Sequence, residues 1–79
     1  MTIGEKVVQA INETQGTNNY NKYYMECYTK IDKRWKFIGW SYPSAGANTI
    51  KTHGKETYIM FGLETKYKVT DAVRELLNL

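Results

Sequence analysis

Between Tyr23 and Tyr42 the chain reads YYMECYTKIDKRWKFIGWSY, two runs of β-forming side chains interleaved with charged ones around a short break at Asp32-Lys33. A period of two sends successive side chains to opposite faces of a strand. A two-residue break between such runs is the spacing of a tight hairpin. A sheet is therefore the organising element. The first strand is expected over 20–31. One of its faces carries Tyr23, Met25, Cys27 and Ile31, and the other Tyr20, Lys22, Tyr24, Glu26, Tyr28 and Lys30. The returning strand, 34–42, places Trp35 and Phe37 on one face and Arg34, Lys36, Ile38, Trp40 and Tyr42 on the other.

Helical periodicity brackets this sheet. Thr2-Ile3-Gly4-Glu5 has the form of a capping box, in which each end satisfies the other's free backbone N–H. From there Ile3, Val7, Ala10, Ile11 and Thr14 fall on one side of a helix over about residues 3–15, and Gly16 is its stop. At the far end Thr70 caps a last helix with Asp71 in its first turn, and Ala72, Val73, Leu76 and Leu77 form its apolar side. Between them, after the turn-rich stretch Pro43-Ser44-Ala45-Gly46-Ala47, residues 48–52 and 56–62 read as a second hairpin around His53-Gly54. Residues 66–69 read as extended chain or loop.

The order is α-β-β-β-α, with a fourth strand if 48–52 pairs. The fold expected is α+β in two layers, with an N-terminal helix, a three- or four-stranded antiparallel meander and a C-terminal helix, both helices on one sheet face. With Tyr23, Met25, Cys27, Trp35 and Phe37 turned toward the helices, the other face presents Tyr24, Tyr28, Lys30, Arg34, Lys36, Trp40 and Tyr42. No third layer is available to cover that face, and an uncovered aromatic patch marks an interaction site.

Charge reinforces the choice of face. The net charge is +3, and residues 20–42 hold five basic against two acidic side chains, so the whole excess lies there together with eight of the eleven aromatics. The chain length of 79 residues allows one domain. A single cysteine, Cys27, rules out an internal disulfide and suits a reducing compartment. The N-terminal residues carry Glu5 and lack the apolar run of a signal peptide, and no window approaches a membrane span. A cytoplasmic protein is expected.

Catalytic and metal chemistry find no support in the spacing. His53 is the lone histidine, without a Cys or His at ligand distance in sequence, and reads as an exposed turn residue. Cys27 reads as a small buried hydrophobe. Ser44, Gly46, Asn48, Thr49 and Lys55 read as hairpin connections rather than an anion loop. No base–nucleophile constellation is present, so no enzyme, cofactor or metal is expected. The α-β-β-β-α order resembles that of double-stranded-RNA-binding domains. That resemblance would imply a basic cluster opening the last helix, but Lys66-Tyr67-Lys68-Val69-Thr70-Asp71-Ala72 places an aspartate there, and membership is not inferred.

The function expected is a non-enzymatic binding module that docks its aromatic-basic sheet face on a protein partner. Chains of this size and surface suit accessory or inhibitor proteins of phages and mobile elements. Single- or double-stranded nucleic acid is the alternative occupant of the same face, and a second copy of the chain, stacked sheet to sheet, is a third.

Overall fold

The computed structural model describes residues 1–19 and 21–79. It is α+β in two layers, with the elements α1 (Ile3–Thr14), β1 (Met25–Ile31), β2 (Arg34–Ser41), β3 (Thr49–His53), β4 (Glu56–Phe61), β5 (Thr65–Lys68) and α2 (Asp71–Leu77). The Thr2–Glu5 capping box forms in both directions, and α1 buries Val7, Ala10 and Ile11 as its periodicity requires. Thr70 caps α2 by accepting from the Val73 amide, and α2 closes on Asn78 in the left-handed conformation.

The sheet has five antiparallel strands in the order β2-β1-β5-β4-β3, rather than a three- or four-stranded meander. The strand added to the expectation is β5, and it lies at the centre. Its sequence, Thr65-Lys66-Tyr67-Lys68, has only four residues and one buried side chain, so local pattern alone does not separate it from a loop. Ladders to β1 on one side and β4 on the other make it a strand. The β2–β3 connection then carries the chain from one edge of the sheet to the other, with Pro43 and Ala47 buried along the way.

Val7 and Ile11 of α1 and Val73 of α2 pack in one cluster with Met25, Cys27, Ile59, Tyr67 and Val69, so both helices cover the same sheet face. Cys27, Tyr67 and Ile59 stand opposite one another across β1, β5 and β4, and form a continuous inner row. Arg74 ties α2 to the sheet by donating to the Thr57 hydroxyl at 3.2 Å. The β2–β3 connection is held against the start of α1. The Gly4 amide donates to the Ala47 carbonyl at 2.8 Å, the Ile3 amide to Asn48 Oδ1 at 3.0 Å, and the Thr2 hydroxyl to the Ala45 carbonyl.

Alternation in the first hairpin is interrupted once. Cys27 pairs with Gly39, but its neighbour Tyr28 pairs with Phe37, so Ile38 is the extra residue of a β-bulge. Gly39 beside it holds φ +133°, a conformation open to glycine and costly for other residues. At the hairpin tip Asp32 and Lys33 both take positive φ, 52° and 65°, as a two-residue turn matched to strand twist demands. The second hairpin turns through Gly54-Lys55, with His53 paired to Glu56. The first strand begins at Met25, and residues 21–23 are turn. The expectation for Tyr20 lies outside the described residues.

Candidate functional site

The helices leave the opposite face of the sheet open, and register defines what stands on it. One row across the strands is Trp40, Glu26, Lys68, Tyr58 and Lys51. The next is Phe37, Tyr28, Lys66, Met60 and Thr49. Lys30 pairs with Trp35 beyond them. Rings and lysines are thus intermixed across the sheet.

The bulge at Ile38 corrects the expected face. Below it the parity of β2 reverses, so Trp35 and Phe37 share the open face with Trp40, while Arg34 and Lys36 pair with Ile31 and Thr29 on the helix-side face. The two cations stay exposed there, because no residue of β2 is buried on either face. Tyr28, Lys30 and Trp40 stand on the open side, and Tyr24 and Tyr42 pair with each other just beyond the strand ends, where Tyr24 also packs against the core. Tyr28 meets Phe37 edge to face at 5.7 Å between centroids, and Tyr24 meets Tyr42 in the same way at 5.4 Å. The outermost rings are well exposed, with Trp40 at 60%, Phe37 at 51% and Tyr42 at 43%. Tyr24 and Trp40 border a shallow concavity with Asn21.

The other half of the face is organised by Lys66, which local sequence did not single out. Its ammonium lies 4.2 Å from the centroid of Tyr58, 4.3 Å from that of Trp35 and 5.9 Å from that of Tyr28. These are cation–π distances. Lys30 approaches Trp35 from its own side at 5.3 Å. Burial among the rings, followed by repulsion from Lys51 and Lys30, holds the Lys66 ammonium below its ordinary pKa. A cleft of about 140 Å³ lies here, lined by Trp35, Lys51, His53, Tyr58, Met60 and Lys66.

Two carboxylates of this face, Glu56 opposite His53 and Glu26 opposite Trp40, have partners of their own. Glu56 pairs with Lys68 at 3.6 Å, a half-exposed ion pair of the kind that contributes at most about 1 kcal/mol. Glu26 accepts from the Tyr28 hydroxyl at 2.8 Å, and this hydrogen bond, with some burial, raises the Tyr28 phenol above its usual pKa.

His53 is exposed and borders the cleft. Cys27 is buried in the core, where desolvation pushes its thiol up. Its neighbour is Tyr67, whose phenol is pushed to about 12, chiefly by burial. Among the described residues no cluster of His, Cys, Asp and Glu is arranged to hold a metal ion, and no helix is long and apolar enough to cross a membrane. Compared with protein-family models, curated proteins and solved structures, the chain matches none.

Proposed function

We propose that the protein is a binding module that docks a protein partner on the open sheet face, centred on the β1–β2 half. The observation that carries this reading is the exposure of Trp40, Phe37 and Tyr42 side by side on a face that neither helix covers. Rigid aromatic side chains supply much contact area for few rotamers frozen, which is why they dominate interface energetics. An accessory or inhibitor protein would work by occupying its partner's surface in this way, without chemistry of its own. Trp40→Ala and Phe37→Ala are expected to abolish capture of the partner from cell extract, while Lys36→Ala, on the other face, retains it. Capture that survives both aromatic truncations would sink the reading. A doubled solution mass that reverts to monomer with Trp40→Ala would instead make the occupant a second copy of the chain.

A second reading, single-stranded nucleic acid, is favoured by one specific observation. Lys30, Lys51 and Lys66 gather around Trp35, Tyr58 and Tyr28 with no carboxylate lining their cleft among the described residues. Rings that stack on bases beside cations that meet phosphates are the working parts of sheet-platform binders.

A further inference from the structure

We infer that the cleft between Trp35 and Tyr58 is a phosphate seat for one nucleotide of a single strand, with Lys66 and Lys51 as its cationic contacts and the rings of Tyr28 and Phe37 as the adjoining base platform. This rests on the nucleic-acid reading and deepens it, by naming where the backbone sits and where the bases run.

Size comes first. Pockets that enclose a whole small-molecule ligand start at roughly 300 Å³. At about 140 Å³ this cleft holds a group and not a molecule. The group is anionic by charge complementarity. Two lysines, Lys51 and Lys66, line the cleft and Lys30 flanks its Trp35 wall, while no carboxylate is among the lining residues and Glu56, opposite His53, is paired with Lys68. The rings that surround Lys66 stabilise its charge but supply no counter-ion. An anion placed against it would offset the repulsion from Lys51 and Lys30 that weakens its hold on a proton.

What continues from the anion is set by register. Tyr28 and Phe37 follow Lys66 along one row of the open face, one and two strands away, or about 5 and 10 Å. Both present ring surface on the side of the sheet without helices. A phosphodiester seated on Lys66 therefore has aromatic faces at hand for the neighbouring bases. Such stacking is tolerant of sequence, because every base has a π-face.

The test is titration of the full chain by two-dimensional NMR with inorganic phosphate, thymidine monophosphate and a ten-residue oligothymidylate, over a salt series. The Trp35 indole N–H and the amides of Lys51, Met60 and Lys66 report the cleft. The oligonucleotide is expected to shift these signals and to bind most tightly. Lys66→Gln and Lys51→Gln should each weaken it about tenfold and lower the salt slope by about 0.7, the value of one single-strand phosphate contact. Lys6→Gln, on α1 in the other layer, carries the same loss of charge and should leave affinity unchanged. Lys51 is exposed on an edge strand, so its variant stays informative if Lys66→Gln loses the far-UV signature of the fold. Oligonucleotide binding that is indifferent to both variants overturns the phosphate seat and leaves the nucleic-acid reading standing. Absence of oligonucleotide binding at low salt overturns both. Binding of inorganic phosphate alone shows an anion site that takes no nucleotide, and also overturns the proposal.

Discussion

At the scale of single residues, the two faces of the sheet put titratable groups to different uses. Inside, Cys27 and Tyr67 stand opposite each other on β1 and β5, and both are held neutral by burial. The thiol lies above its usual 9.0, and the phenol is raised from 10.0 to about 12. In each case the folded chain keeps a proton that the unfolded chain has already lost. The stabilisation they contribute is therefore fully present below about pH 9, and is lost as pH rises toward 12. Lys66 acts in the opposite sense, since its folded pKa is depressed below 10.5 and the unfolded state binds more protons in that window. Denaturant midpoints measured from pH 8 to 12 should fall for the wild type. For Tyr67→Phe the fall above pH 10 should be smaller, with the remainder left to Cys27 and Tyr28. An unchanged slope in the variant would show that Tyr67 is not the group responsible.

At the scale of elements, the start of α1 is a clamp. A Cβ built on Gly4 would lie 2.0 Å from the Ser44 carbonyl oxygen, a backbone atom that cannot move without displacing the β2–β3 connection. The same connection takes hydrogen bonds from Thr2, Ile3 and Gly4, so helix cap and crossover are one assembly. Gly4→Ala, which by helix propensity alone would stabilise the chain by a few tenths of a kcal/mol to 1 kcal/mol, is expected to destabilise it by about 2 kcal/mol through overpacking. Thermal unfolding gives the sign directly. The bulge at Ile38 is the other element-level device. It twists a long edge strand that would otherwise invite pairing, and it also turns Trp35 and Phe37 onto the open face.

For the whole molecule, the central position of β5 determines how stability is distributed. It is the shortest strand, yet it bonds to β1 and β4 on both sides and places Tyr67 in the middle of the core. Strands β2 and β3 each have one unpaired edge and no buried residue. Native-state hydrogen exchange should therefore find the slowest amides in β1, β4 and β5, with β2 and β3 opening at lower free energy. If the amides of β5 exchanged as fast as those of β2, the strand would be a late, weakly held addition to two independent hairpins. The open face would then lack the rigidity that a preformed site needs.

Much of this arrangement is local and was legible from the chain alone. Both helices, their N-terminal caps and their apolar sides follow from short-range pattern, and so do the first hairpin with its turn at Asp32-Lys33 and the buried pair Met25 and Cys27. Alternation alone assigns Tyr28, Lys30 and Trp40 to the face on which the register puts them. The rest depends on contacts between distant segments. Strict alternation cannot register an extra residue, so Trp35 and Phe37 exchange faces with Arg34 and Lys36 only once Ile38 bulges against β1. A strand of four residues carries too little pattern to be distinguished from a loop, and β5 is one because two flanking ladders make it so. The basic cleft has the same origin. Outside residues 20–42 acidic and basic side chains cancel in number, but folding sorts them by face. It brings Lys51 and Lys66 from different strands beside Lys30 and the rings of Trp35 and Tyr58. Local sequence determines the elements and their apolar faces, because those depend on neighbours a few residues away. Strand order and the composition of the open face are decided by tertiary pairing.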